Sequence, residues 1–115
     1  MSRAGRSGPA AKRRAYASVF AALGDPTRLS LVAKLCSGPP RSISKLTEDT
    51  RLSRQAVTKH LRVLERARVV RSARSGRESR FAFNPEPIED IKKHLDLVSE
   101  QWDHALARLR TLADS

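Results

Sequence analysis

Apolar residues recur at spacings of three and four along most of the chain after residue 15, which predicts a series of amphipathic helices. The first helix is predicted from Tyr16, Val19, Phe20 and Leu23. Residues 1–14 lack this periodicity and are rich in Ser, Gly, Ala, Pro and basic residues. We interpret residues 1–14 as a disordered basic tail.

Asp25-Pro26 predicts the start of a second helix, because Asp is a good N-cap and Pro is favoured at the first helical position. Gly38-Pro39-Pro40 predicts its end. Its apolar residues nearly surround the helix, so we expect the helix to be central and Cys36 to be a small core residue. These residues are Leu29, Leu31, Val32, Leu35 and Cys36.

Two further helices and a hairpin are predicted in the middle of the chain. Ser42 caps a short helix that closes near Thr50, and Ser53 caps a longer one with an apolar stripe. The stripe consists of Ala56, Val57, Leu61 and Leu64. The period then shifts towards two, which predicts short strands at 69–71 and 80–83 around a turn at 74–77.

The last helix is predicted to begin at Pro87, and its apolar residues keep a heptad spacing. They are Ile88, Ile91, Leu95, Val98, Trp102, Ala105, Leu109 and Leu112. A helix over 87–112 is about 39 Å long at 1.5 Å per residue, longer than the rest of the domain is wide. One interpretation is that this helix folds back on the core of its own chain. The preferred interpretation is that two copies of the chain dimerise through it.

The charge of this 115-residue chain is strongly positive, with 23 Lys+Arg against 12 Asp+Glu and a formal net charge of +11. Residues 41–80 contain twelve Lys and Arg against four acids, whereas residues 81–115 contain four bases against seven acids. A concentrated positive charge favours an anionic partner. No membrane span, secretory signal or disulfide is predicted, so a cytoplasmic protein is expected.

The helices that begin at Ser42 and Ser53 and the basic hairpin together predict a helix-turn-helix with a wing that binds double-stranded DNA. Polar residues in the first turns of the second of these helices are expected to contact base edges: Ser53, Arg54, Gln55, Thr58, Lys59 and His60. For His60, a place at the border of the apolar stripe, bonded to the backbone, is an equally good interpretation. Contacts to the DNA backbone are expected from Arg62, Arg74, Arg77 and Arg80.

From about Val19 to Phe83 the chain resembles the ArsR/SmtB winged-helix repressors. The matching runs are VFAALGDPTRLSLVAKL, LSRQAVTKHLRVLERARVVRSARSGR and FAFNPEP. The resemblance implies a homodimer, joined through its first and last helices, that binds a partly palindromic operator and represses transcription. The expected dimer contacts are Phe20, Leu95, Val98, Trp102, Ala105 and Leu109.

The chain departs from the metal sensors that it resembles. Where they carry a Cys-x-Cys pair it has Ser42 and Ser44, and Lys92 replaces the Asp that accompanies histidines on the last helix. Serine is a poor ligand for soft metals. The last third instead resembles a non-metal branch often encoded beside a small ligand-binding protein of the SRPBCC (START-like) class. We therefore expect no metal, no cofactor and an unknown effector.

The sequence thus predicts a mainly α fold with a small β-hairpin: a winged helix-turn-helix with a three-helical core. Residues 15–84 are expected to form the DNA-binding domain and 85–115 the dimerisation helix. The predicted function is a dimeric, sequence-specific repressor that does not sense metals. A non-specific architectural DNA-binding protein is the alternative. A membrane-surface binder is disfavoured because the longest amphipathic helix is acidic, and an enzyme because no catalytic motif is found.

Overall fold

A computed structural model describes residues 8–114 and contains five helices and three strands within that range. Their order and bounds are α1 Pro9–Leu23, α2 Pro26–Cys36, β1 Arg41–Ser42, α3 Ile43–Glu48, α4 Arg54–Arg66, β2 Val70–Ser75, β3 Glu78–Phe83 and α5 Glu86–Asp114. The mainly helical fold with a small antiparallel sheet confirms the predicted fold class.

Helix α1 begins seven residues earlier than predicted. Pro9 occupies its first position and Gly8 its N-cap, and the following residues, Ala10 to Ala15, consist only of Ala, Lys and Arg. These residues have high helix propensity, which explains why the helix extends into a segment without apolar periodicity. The predicted disordered tail over 1–14 is therefore wrong for residues 9–14. Its first seven residues lie outside the described part of the chain.

The predicted starts of α2, α3 and α4 are confirmed by side-chain caps. The side chains of Asp25, Ser42 and Ser53 each accept a hydrogen bond from the backbone N–H three residues later, at 3.0, 3.1 and 3.1 Å. Each bond satisfies one of the N–H groups that a helix start leaves without an intrahelical partner. The caps therefore fix where each of the three helices begins.

The hydrophobic core lies between α2, α4 and the sheet, with contributions from α1, α3 and α5. Its buried residues are Val19, Ala22, Leu31, Leu35, Leu46, Val57, Leu61, Leu64, Ala67, Val69, Val70, Phe81 and Ile91. Helix α2 contributes only Leu31 and Leu35 at full burial. Leu29 is 53% exposed and Cys36 is exposed as well. The expectation that α2 is a central helix with Cys36 in the core is therefore wrong, because only one face of α2 packs against the rest of the domain.

The sheet is antiparallel in the order β1-β3-β2. Strands β2 and β3 pair from Val70↔Phe83 to Ser75↔Glu78. They are longer than predicted, and the loop between them is reduced to Gly76-Arg77. Gly76 has φ of 65°, a conformation that glycine adopts readily. The two-residue strand β1 pairs with β3 at Phe81 and Arg80 and was not predicted.

Helix α5 spans 29 residues, about 44 Å at 1.5 Å per residue. Only Ile91 of this helix is fully buried. Beyond it the apolar side of α5 leaves the core, and Trp102 is 62% exposed in the single chain. The length and the exposed heptad positions do not fit the alternative in which the whole helix folds back on its own core.

Candidate nucleic-acid interface

The turn between α3 and α4 is stabilised by hydrogen bonds of the Thr50 side chain. The hydroxyl of Thr50 donates to the carbonyl of Thr47 at 3.0 Å and accepts from the N–H of Leu52 at 3.1 Å. Behind the turn, Leu46 and Val57 are fully buried and join the two helices. This local bonding sets the angle at which α4 projects from the domain.

The side of α4 away from the core presents four of the predicted base-contacting residues together. Arg54, Gln55, Thr58 and Lys59 surround one shallow, open depression on the surface. Two residues near this surface already have partners within the chain. The Ser53 hydroxyl accepts the capping bond of α4, and Nη1 of Arg54 donates to the Ser44 hydroxyl at 2.6 Å.

His60 lies away from that depression and faces the junction of α1 and α2. Its Nδ1 is 3.1 Å from Nη1 of Arg28 and 3.9 Å from Oδ2 of Asp25. Nε of Arg28 also donates to the carbonyl of Ala22 in the last turn of α1, at 2.5 Å. His60 therefore lies in a polar cluster with Arg28 and Asp25, on the side of α4 that faces α1 and α2. The contact made by Arg28 was not predicted, because its partner on α4 is 32 residues away in the sequence.

Three of the four residues predicted to contact the DNA backbone lie in or beside the hairpin. Arg74, Arg77 and Arg80 are exposed on β2, the turn and β3. Arg80 has a weak partner, since its Nη2 lies 3.7 Å from Oε1 of Glu78. The hairpin is therefore a basic, solvent-exposed projection.

Arg62 is held more firmly than the hairpin arginines. Its Nη1 donates to Oε1 of Glu65 at 2.7 Å, and its guanidinium lies 5.7 Å from the centre of the Phe81 ring. The other Glu65 oxygen accepts from the Ser72 hydroxyl at 2.5 Å. This hydrogen bond, followed by the hydrogen bond and the positive charge of Arg62, lowers the pKa of Glu65 below its usual value. The carboxylate of Glu65 therefore ties α4 to the first strand of the hairpin.

Comparison with known proteins identifies the architecture. A family model described as a helix-turn-helix domain matches residues 23–73. The chain is 34% identical over 94 residues to the HTH-type transcriptional regulator Rv2034 of Mycobacterium tuberculosis, covering 82% of this chain and 84% of that protein. Its structure resembles an ArsR-like transcriptional regulator from Rhodococcus sp. RHA1 with a TM-score of 0.74 and 34% identity, over 88% of this chain and 94% of that one.

The chain belongs to the ArsR family of winged helix-turn-helix transcriptional regulators. The resemblance inferred from the sequence is thereby confirmed. A more distant relative, a possible ArsR-family regulator from Mycobacterium bovis, has a homodimeric winged helix-turn-helix DNA-binding domain. It shares the fold with a TM-score of 0.65 at 20% identity, over 88% of this chain and 91% of that one.

In this ArsR-family regulator the two serines that stand where metal sensors have their cysteine pair have structural partners. Ser42 caps α3 and Ser44 accepts from Arg54. On α5, His94 stacks on Tyr16 with ring centroids 4.6 Å apart. Among residues 8–114 no group of three His, Cys, Asp or Glu residues is arranged to hold a metal ion. No helix in the same range is long and apolar enough to cross a membrane.

The residues predicted to form the dimer contact are accessible in the single chain of this regulator. Phe20 on α1 is 44% exposed, and the predicted residues of α5 are exposed or half-buried. The α5 residues are Leu95, Val98, Trp102, Ala105 and Leu109. The structure leaves these apolar side chains available to a partner.

Proposed function

We propose that this regulator is a homodimeric, sequence-specific DNA-binding repressor that does not sense metals. The observation that carries the proposal is the exposed face of α4, where Arg54, Gln55, Thr58 and Lys59 lie together while Val57 and Leu61 anchor the opposite side in the core. A helix of this kind fits the major groove, and its first turns reach base edges.

The four residues of this face differ in chemistry, which favours specificity over mere attraction to DNA. Gln55 can bond adenine through two hydrogen bonds, and Arg54 can bond guanine in the same way. Lys59 adds charge, and Thr58 offers a hydroxyl and a methyl group. An architectural protein that coats any DNA needs only charge. That alternative is therefore less favoured, although the twelve bases in residues 41–80 are consistent with it.

The hairpin is proposed to follow the DNA backbone beside the groove that α4 enters. Arg74, Arg77 and Arg80 are exposed there, and Arg62 lies at its base. Contacts of this kind fix orientation and add affinity without selecting a sequence. The predicted base contacts of Ser53 and His60 receive less support, because both side chains already have partners in the protein.

Dimerisation is proposed to proceed through α5 together with Phe20 of α1, with residues 15–84 forming the DNA-binding part. Its support is the exposed heptad seam and the homodimeric state of the relative from Mycobacterium bovis. A symmetric dimer reads half-sites about one helical turn, roughly 34–36 Å, apart. Lack of metal sensing is proposed because serines stand in place of the cysteine pair. A cytoplasmic location follows from action on chromosomal DNA, and the effector is unassigned.

The experiment that tests the proposal is selection of bound sequences from a random DNA pool, followed by titration of the selected site at about 150 mM salt. We expect the selected site to bind at least about 1,000-fold more tightly than random DNA. A ratio near one, with only a steep salt dependence, would support the architectural alternative instead.

Single substitutions then distinguish residues that contact DNA bases from residues that contact the DNA backbone. Gln55→Ala should weaken binding to the selected site by about 1–3 kcal/mol and leave random DNA nearly unaffected. Arg77→Ala should weaken both by similar factors and reduce the salt dependence. Arg110→Ala, an exposed change on α5, is the matched control. Equal effects of Gln55→Ala on both DNAs would contradict the proposed role of α4.

A further inference from the structure

A cleft of about 910 Å³ lies between the first half of α1 and the first half of α5, away from the residues assigned to DNA. Four cationic side chains line it: Lys12 and Arg13 on α1, Arg68 after α4, and Lys93 on α5. Asp90 is the one acid among its lining residues in the described range. The cleft is therefore predominantly positive.

None of these four cations is paired with a carboxylate within 4 Å in residues 8–114. Cations that line one cleft without carboxylate partners create a positive potential that attracts a small anion. The N-terminal residues cannot supply one from their side chains, because residues 1–7 contain Arg3 and Arg6 and no acid. An anion from solution is therefore the kind of ligand whose charge complements this lining.

Arg68 has an unusual backbone conformation. Its φ is 65°, and it is the only non-glycine residue with positive φ in the described part of the chain. Its carbonyl accepts from Nδ2 of Asn84 at 2.8 Å, which holds this conformation in place. Glycine would occupy the position without strain, whereas arginine carries a steric cost. The conformation belongs to the end of α4, where the N–H groups of Arg68 and Val69 donate to the carbonyls of Glu65 and Leu64, and it places the Arg68 side chain at the border of the cleft.

An aromatic and apolar surface lies in the same cleft. The Tyr16 ring stacks on the His94 ring at 4.6 Å with an interplanar angle of 30°. Leu97, which is 63% exposed, continues this surface along α5. None of these three residues belongs to the proposed dimer contact. The cleft thus combines a stacked aromatic pair and an exposed leucine with four cationic side chains.

We propose that this cleft binds a small aromatic carboxylate. The guanidinium of Arg68 offers two parallel N–H donors that match a carboxylate, and Lys12, Arg13 and Lys93 add charge around it. The aromatic ring of the ligand lies against Tyr16, His94 and Leu97. This site is independent of the DNA-binding face and can be measured without DNA.

Calorimetric titration of the full chain with salicylate tests the site, with salicylamide as the neutral control of nearly the same shape. We expect salicylate to bind with Kd between about 10 μM and 1 mM, a range suited to a ligand of about ten heavy atoms. Salicylamide should bind at least about tenfold more weakly, because it lacks the charge. Equal affinity for the two molecules, or no binding of salicylate, would overturn the proposal.

Arg68→Gly separates a ligand-binding role from a structural one. It removes the cation and relieves the backbone strain, so we expect about a tenfold loss of salicylate affinity with an unchanged or higher melting temperature. Lys93→Gln should weaken binding several-fold, whereas Lys92→Gln, one residue away and outside the cleft, should not. Unchanged affinity in both Arg68→Gly and Lys93→Gln would overturn the site.

A second copy of the chain is the competing occupant of the cleft. In that case Arg68→Gly and Lys93→Gln would shift the dimer dissociation constant measured by sedimentation, and salicylate would not bind. That combined result would contradict the proposal. Dimer dissociation that is unaffected by the two substitutions, together with their loss of salicylate binding, would support it.

Occupancy of the cleft is also expected to change DNA affinity, because the cleft joins α1 to α5, the helices that carry the proposed dimer contact. This consequence rests on the proposed function. Saturating salicylate should change the affinity for the selected site by at least about fivefold, the lower range of ordinary allosteric coupling. An unchanged DNA affinity in a protein that binds salicylate would overturn the coupling. The calorimetric result decides the site even if no preferred DNA sequence exists.

Discussion

Replacement of Arg28 by methionine tests how the recognition helix α4 is fixed to the rest of the domain. The Arg28 guanidinium donates to the Ala22 carbonyl at 2.5 Å and lies 3.1 Å from Nδ1 of His60 on α4. A third, longer contact reaches the Ala21 carbonyl at 3.5 Å. One side chain thus occupies carbonyls at the end of α1 and holds α4 beside it. Methionine fills a similar length but cannot donate a hydrogen bond.

The magnitude follows from the two short contacts. A hydrogen bond from a charged group contributes about 1.5–3 kcal/mol when it is well shielded from water. The Arg28 contacts are only partly buried, so we take about 1 kcal/mol for each and expect Arg28→Met to lower the free energy of unfolding by about 2 kcal/mol. At about 4 °C per kcal/mol for a chain of this size, the melting temperature should fall by roughly 8 °C.

The assay is urea and thermal unfolding followed by circular dichroism, with all variants at one protein concentration because dimerisation affects apparent stability. Arg51→Met is the control, since Arg51 is exposed and has no side-chain hydrogen bond among the described residues. Arg28→Lys, which keeps the charge but cannot reach both partners, should recover less than half of the loss. If Arg28→Met unfolds at the same midpoint as Arg51→Met, the contacts of Arg28 contribute nothing and the reasoning is wrong.

Three further predictions concern two contacts within the domain and one residue of the proposed dimer contact. Asn84→Ala removes the bond to the carbonyl of Arg68 from a side chain that is 7% exposed, and should cost about 1–3 kcal/mol in urea unfolding. Glu65→Gln should flatten the acid dependence of stability. Because the pKa of Glu65 is lowered in the folded state, chiefly by Ser72, the unfolded chain takes up the proton more readily and wild-type stability falls below about pH 4.5. Urea midpoints between about pH 3 and 7 check this, and parallel profiles for the two proteins would contradict it. Trp102→Ala should raise the dimer dissociation constant at least about 30-fold in sedimentation, and an unchanged constant would remove Trp102 from the dimer contact.

The helix starts could be predicted from the sequence because the signals that determine them are local. Asp25, Ser42 and Ser53 each bond a backbone N–H only three residues away. The heptad spacing of α5 is local in the same sense, since it depends on steps of three and four along one helix. Such signals give the order and approximate length of the elements before any tertiary contact is known.

The features that were missed depend on contacts between distant residues or on composition without periodicity. Strand β1 has only two residues, and its pairing with Phe81 is 40 residues distant in the chain. The early start of α1 depends on helix propensity rather than on an apolar stripe. The exposure of Cys36 follows from which face of α2 packs inward, and apolar residues on several faces of a helix do not reveal that face.

The same distinction applies to the candidate DNA-binding face. Gln55, Thr58 and Lys59 are brought together by helical periodicity alone, and the sequence therefore predicts their common surface. The bond between Arg54 and Ser44 spans ten residues, and that between His60 and Arg28 spans 32. Neither could be predicted from spacing, although both alter what these side chains can offer to DNA.

These internal bonds rank the residues of α4 as determinants of specificity. Arg54 donates one of its five N–H groups to Ser44 at 2.6 Å, and this bond restricts how its guanidinium can be oriented towards a base. Gln55 has no side-chain hydrogen bond to any described residue, so its amide can bond an adenine without giving up a protein partner. We therefore expect a greater net gain for Gln55 on binding the correct base, because reorienting Arg54 towards a base weakens its bond to Ser44. Sequence discrimination is accordingly expected to depend more on Gln55 than on Arg54, despite the greater charge of the arginine.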